Sequence, residues 1–152
     1  MFLIRKAEAF DNAVVSELSM LLYDGVNTKD RCAFEEHLAS NADYLSDPRM
    51  AIFLAVDGNE AVGFAHVALR SDYVEGTQGG TVGFLEGIYV TPQSRGRGIA
   101  RALVAACENL ARESGCVEFA SDCELTNADS LAFHLKVGFA EANRIICFTK
   151  TL

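Results

Sequence analysis

Residues 84–100 read FLEGIYVTPQSRGRGIA, and the way this apolar run meets a glycine-rich turn decides the fold. Phe84, Leu85, Ile88, Tyr89 and Val90 are strand formers, and Pro92 ends the ladder because it has no N–H to give. Arg95-Gly96-Arg97-Gly98 then opens an amphipathic helix. Strand, glycine turn and helix in that order make an anion site. Gly96 and Gly98 let the main chain approach a ligand closely, while Ile99 and Ala100 in the first helical turn add unpaired N–H donors at the positive end of the dipole. The expected ligand is a phosphate or pyrophosphate. A nucleotide P-loop would follow its last glycine with Lys and then Ser or Thr, where this chain has Ile99 and Ala100. A dinucleotide-binding turn would need a repeated βαβ frame with an acid on a later strand, and no such frame is visible.

The flanking composition bounds what such a site serves. A chain of 152 residues, half of them hydrophobic, predicts one domain over residues 1–152 with a full core. No apolar run approaches the length of a membrane span and residues 1–10 carry no cleavable leader pattern, so the expectation is a cytoplasmic protein with no membrane partner. Cysteines at 32, 107, 116, 123 and 147 form no C-x-x-C pair and no ligand spacing with His37, His66 or His134. They read as free, mostly buried thiols, with no metal and no cysteine nucleophile. The net charge of −8 repels nucleic acid and attracts cations. That favours a polyamine-like cationic substrate, although acidity also serves solubility alone.

Taken in order, residues 2–8 read as a first strand. Asp11 is a fair N-cap for a helix with Val14, Val15, Leu18, Leu21 and Leu22 on one stripe, ending near Asp24-Gly25. A second helix is expected over residues 31–44, leaving at Asp47-Pro48. Residues 51–56 and 61–69 form a hairpin through Asp57-Gly58-Asn59. Residues 71–81, SDYVEGTQGGT, make a polar loop into the residue 84 strand. The helix from Gly98 carries Leu103, Val104, Cys107, Leu110 and Ala111, and ends at Ser114-Gly115. Residues 116–121 are a strand parallel to the central one, 127–136 a short helix, and 144–149 a last strand that closes the sheet.

Arg95-x-x-Gly98-x-Ala100, between a strand and a long helix, resembles the acetyl-coenzyme A signature, Arg/Gln-x-x-Gly-x-Gly/Ala, of the GNAT superfamily of N-acetyltransferases. The element order β-α-α-β-β-β-α-β-α-β resembles that fold over nearly the whole chain. In detail the segments LEGIYV (85–90), FASD (119–122), DYVEGT (72–77), and AFH (132–134) through Gly138-Phe139 look like the aminoglycoside 6′-N-acetyltransferases. The resemblance implies an α+β fold, with a mixed, mostly antiparallel sheet, a splayed parallel central pair and flanking helices. It implies acetyl-coenzyme A as cosubstrate, direct acetyl transfer to an amine in a ternary complex, and a homodimer. Two other outcomes stay open: an N-acetyltransferase for another cationic amine, and a non-catalytic acyl-coenzyme A sensor.

Acetyl transfer from a thioester needs a donor held in line, a neutral amine, and polarisation of the carbonyl. The resemblance gives the diphosphate to the turn Arg95, Gly96, Arg97, Gly98, Ile99 and Ala100. It gives the pantetheine arm to the main chain of Ile88, Tyr89 and Val90, with a bulge near Gly87 and an N–H near Val90 facing the acetyl oxygen. An aliphatic amine is protonated near neutrality, so a carboxylate must take its proton or anchor the ammonium. Glu86 and Asp122, at apolar strand positions, are the expected acids. Tyr73 and Glu75, with Glu141 beside them, complete the expected substrate wall; Asn143 stands where relatives often carry another acid. His134 occupies the position where the superfamily usually presents a tyrosine as acid to the leaving thiolate, and it can also bind coenzyme A or sit satisfied in a half-buried slot. Asn127 touches the pantetheine arm or caps its helix.

Overall fold

The computed structural model describes residues 1–25 and 30–152. The chain runs β1 (Phe2–Lys6), a 3₁₀ turn (Ala9–Asp11), α1 (Asn12–Tyr23), α2 (Arg31–Ser46), β2 (Met50–Asp57), β3 (Glu60–Arg70) and β4 (Val82–Val90). A second 3₁₀ turn (Pro92–Ser94) then leads to α3 (Ile99–Glu113), β5 (Phe119–Ser121) and α4 (Ala128–Val137). Among the described residues five strands make one sheet in the order β1-β2-β3-β4-β5, antiparallel except for the parallel β4–β5 pair. This is the expected α+β arrangement.

Local chemistry accounts for the joints. Gly58, at φ 62°, takes the first place of the two-residue β2–β3 turn, where Asp57 pairs with Glu60. Asp30 caps α2 by accepting from the Cys32 and Ala33 amides. Asp11 stands at the start of α1 but makes no side-chain cap. Both its oxygens are gripped by Arg5 at 2.7 Å, and one also accepts from the Glu8 amide at 2.8 Å. The Arg5 guanidinium accordingly holds this carboxyl below its ordinary pKa.

Each face of the sheet has its own helix layer. Ile99, Leu103, Val104 and Cys107 of α3 pack with Ala51, Ala65, Val67 and Leu85 on one side. Val15 and Leu18 of α1 pack with Ile52, Leu54 and Phe64 on the other. Burying side chains of this size stabilises by roughly 1.5–3 kcal/mol each.

Three expectations are corrected. The strand expected at 144–149 does not form: residues 140–152 have no regular structure and are exposed, including Ile146 and Phe148. Strand propensity is realised only against a neighbouring ladder, and residues 144–149 pair with none of the five strands. For the same reason the preceding strand is only Phe119–Ser121, starting three residues later than expected. The thiols are also not mostly buried, since Cys32, Cys123 and Cys147 are exposed and only Cys107 and Cys116 are inside. Burial pushes the Cys107 thiol up to about 12.

Candidate active site

Two features of β4 create the site. The first is its partial pairing with β5: Gly83, Phe84 and Leu85 pair with Phe119, Ala120 and Ser121, and from Glu86 to Val90 the two strands are no longer paired. Ser121 Oγ donates to the Leu85 carbonyl at 3.1 Å where they part. Main-chain groups of Ile88 and Val90 therefore border an opening in the sheet, a place for an extended ligand to add as a strand, whereas those of Tyr89, also expected there, face Phe64 on β3. The second feature is a bulge. His66 pairs with Gly87 and Val67 with Leu85, leaving Glu86 as the extra residue. Gly87 lets Tyr23 pack close, because a Cβ there would come within 2.6 Å of the Tyr23 hydroxyl and displace it.

Beyond β4 the chain makes the expected turn. Gly96 and Gly98 lie at φ 78° and 83°, a region costly for other residues, and a Cβ at either would meet nothing within 4 Å. The first backbone bond of α3 runs from Ala102 N to Gly98 O at 3.1 Å, so the Ile99, Ala100 and Arg101 amides precede the helical ladder. These donors and the open space over the glycines fit a diphosphate. The arginines are partly committed elsewhere: Arg95 Nε donates to the Val90 carbonyl at 3.0 Å and Arg97 pairs with Asp57 at 2.6 Å.

On the α1–α2 side of the bulge lies a cavity of about 310 Å³ lined by Ser19, Tyr23, His37, Asn41, Tyr44 and His66, among others, with Glu86 at its wall. Glu86 is not a lone acid. Arg70 forks its two oxygens at 2.8 and 2.7 Å, and the guanidinium itself lies 3.6 Å over the Phe84 ring. Tyr23 turns its hydroxyl toward the Glu86 carbonyl at 3.4 Å. Burial of that hydroxyl, then the charge of Glu86, with Tyr44 and Asp122 adding to it, holds the phenol above its ordinary pKa. Asp122 lies exposed just past the end of β5. Deeper in, Ser19 Oγ meets His37 Nδ1 at 2.8 Å and His37 Nε2 meets Asp24 at 2.9 Å. This Ser–His–Asp chain is a brace between α1 and α2: Ser19 is buried, donates to the Ser16 carbonyl at 3.1 Å and accepts from Asn41 at 3.2 Å.

The other expected residues are distributed differently. His134 has both ring nitrogens engaged, Nδ1 with the Ser130 carbonyl at 2.7 Å and Nε2 with Ser121 Oγ at 2.8 Å, so it ties α4 to the end of β5 where the strands part. Asn127 caps α4, accepting from Ser130 N at 3.0 Å. Tyr73 donates to Glu75, and Glu75 accepts from Asn143 at 2.8 Å, so the loop ahead of β4 is fastened to the segment after α4. Glu141 pairs with Arg144 inside that segment. None of Tyr73, Glu75 and Glu141 lines the cavity beside Glu86. Sequence reasoning missed Arg70, His66 and Tyr23. Alternation along β3 puts Phe64 and His66 on one face, and only the β3–β4 register reveals that this face meets Glu86.

A mixed sheet whose parallel pair opens beside a glycine-turned helix start is the architecture of acyl-group transferases. The chain belongs to the acetyltransferase (GNAT) family, whose model matches residues 16–139. It is 40% identical to an aminoglycoside N(6′)-acetyltransferase type 1 of Stenotrophomonas maltophilia, over 98% of this chain and 93% of the relative. It is 41% identical to the protein of the same description from Klebsiella aerogenes, over 99% and 97%. Among solved structures, AAC(6′)-Iy in complex with a bisubstrate analogue, CoA-S-monomethyl-acetylneamine, superposes with a TM-score of 0.90 at 34% identity, covering 100% of this chain and 99% of that one. The 6′-N-acetyltransferase AAC(6′)-Ih from Acinetobacter baumannii gives 0.90 at 32% identity, over 100% and 99%.

Proposed function

We propose that this chain is an aminoglycoside 6′-N-acetyltransferase, a single-domain cytoplasmic enzyme that moves an acetyl group from acetyl-coenzyme A to the 6′-amine of the drug and so gives resistance. The observation that carries it is the parting of β4 from β5 immediately before the turn at Gly96 and Gly98, with Glu86 and Asp122 beside the gap. The similarity to relatives described as aminoglycoside N(6′)-acetyltransferases supports the acceptor.

In this reading the amides from Gly96 to Ala100 hold the diphosphate, with Arg95 and Arg97 adding positive charge. Ile88 and Val90 bind the pantetheine arm along their main chain while Tyr89 between them stays paired with β3, and the Val90 N–H polarises the thioester carbonyl. Glu86, its carboxylate fixed in place by the Arg70 fork, accepts from the acceptor ammonium on its remaining lone pairs and orients it. Asp122, nearer water, takes the ammonium proton directly or through a water molecule. The freed amine nitrogen then bonds to the acetyl carbon, the carbon–sulfur bond breaks, and the proton that the nitrogen sheds on becoming an amide balances the one that the thiolate takes up. His134 acts through Ser121, keeping the end of β5 in place, and Asn127 through the start of α4. Tyr73, Glu75 and Glu141 form an outer acidic rim for a polycationic drug. The chain works as a homodimer, with the exposed apolar residues Ile145, Ile146 and Phe148 covered by a second copy.

Thiol release from acetyl-coenzyme A, followed with kanamycin, tobramycin, spermidine and a lysine peptide, tests the acceptor. Kanamycin and tobramycin should stimulate it most; release driven better by spermidine or the peptide moves the chain to another acceptor, and none at all despite acetyl-coenzyme A binding makes it a sensor. Asp122→Asn should lower kcat by about 10²–10⁴-fold while calorimetry finds coenzyme A affinity unchanged. Full turnover by this variant removes Asp122 from the chemistry.

A further inference from the structure

His66 is unusual among the buried polar side chains. It is 7% exposed, and its Nε2 is buried with no hydrogen-bond partner. Leaving such a group unpaired costs on the order of 1–3 kcal/mol, so a side chain kept in this state points to a partner outside the chain. The ring stands in the wall of the 310 Å³ cavity, its centroid 4.7 Å from that of Tyr44, directly across the bulge from Gly87 and Glu86. Tyr23, also in its wall, is 60% exposed. Apart from the Met50 thioether the cavity lining is hydroxyls, an amide, imidazoles and aromatic rings, with Glu86 the one carboxylate among the described residues. Aromatic rings with scattered neutral donors and acceptors suit a hydroxylated ring better than a bare hydrocarbon chain.

The charge state narrows the partner. Burial first, and Arg70 second, bring the His66 imidazolium pKa down to about 4, so the ring is neutral at working pH and offers one N–H and one lone pair. A hydroxyl both donates and accepts, and matches either tautomer. An ammonium only donates, and it is served better by Glu86. We propose that His66 is a specificity-determining residue: its unpartnered Nε2, in the cavity between α1, α2, β3 and β4, hydrogen-bonds a hydroxyl of the acceptor, so that the site selects amines carried on hydroxylated rings over hydrocarbon polyamines. A site built around such a bond rejects an analogue lacking the hydroxyl, because the buried nitrogen is then left bare. The inference rests on the N-acetyltransferase reading above and assigns part of the acceptor pocket to β3, away from the rim formed by Tyr73, Glu75 and Glu141.

The test compares wild type, His66→Phe and His66→Gln with kanamycin and with spermidine, at saturating acetyl-coenzyme A. His66→Phe should lower the kanamycin-to-spermidine ratio of kcat/KM by about 10- to 100-fold, mostly through a higher KM for kanamycin. His66→Gln, which keeps a donor and an acceptor near the position of Nε2, should recover part of the loss and guards against misfolding of the Phe variant. Equal losses on both acceptors in both variants, or an unchanged kanamycin KM, overturn the inference while leaving the N-acetyltransferase reading intact. Wild type that binds acetyl-coenzyme A but neither binds nor acetylates kanamycin overturns this inference and the aminoglycoside reading together.

Discussion

His66 makes folding itself sensitive to acid. The unfolded chain takes a proton on this ring near pH 6.5, and the folded chain only near pH 4. Its contribution is therefore fully present above pH 6.5 and is lost as pH falls toward 4, amounting to about 3 kcal/mol over that window. Urea unfolding between pH 7.5 and 4 should find wild type losing about 3 kcal/mol more than His66→Gln. Parallel curves for the two proteins would mean that the ring is not held neutral. Glu86 and Asp122 stood out as candidate acids in the sequence because one lies within an apolar strand and the other at the end of one. Their environments did not. The Arg70 fork on Glu86 spans 16 residues and exists only because β3 and β4 pair in one register, with the bulge adding a residue on one side.

At the scale of elements, the turn into α3 was the most legible part of the chain, because Pro92, Gly96 and Gly98 each have one dominant conformational reason to be there. Gly98 lies at φ 83° and starts α3, and nothing within 4 Å would obstruct a side chain. The requirement is therefore on the backbone alone. Gly98→Val should cost about 1–2 kcal/mol in holding that conformation and, by misaiming the first amides of α3, weaken acetyl-coenzyme A binding about tenfold or more. Calorimetry measures this, with circular dichroism confirming that helix content is kept; equal affinity would show that these amides do not bind the diphosphate. The parting of β4 and β5 was foreseen only through family likeness. Nothing local in FASD (119–122) says that pairing stops at Ser121.

For the molecule as a whole, apolar runs, alternation and turn signals marked the elements in chain order, while the helices flanking the sheet were expected from family likeness. The same alternation misled at 144–149, where RIICFT reads as a strand but no ladder receives it. Ile145, Ile146 and Phe148, at 60%, 77% and 88% exposure, are instead exposed apolar residues, assigned above to the proposed dimer interface. Deleting residues 144–152 should shift the enzyme from dimer to monomer in size-exclusion chromatography with light scattering. A truncated chain that stays dimeric would move the interface elsewhere, and a full-length monomer would remove it.

The distribution of cysteines has a practical side. A colorimetric disulfide reagent, added to follow coenzyme release, will first consume the enzyme's own Cys32, Cys123 and Cys147, giving a rapid step of three equivalents per chain before any steady slope. Cys107, with its thiol held up to about 12, stays silent in that step. Because Cys123 follows Asp122 directly, labelling it also places a bulky adduct beside the acid assigned to deprotonate the drug, so the dye that reports turnover can progressively poison it.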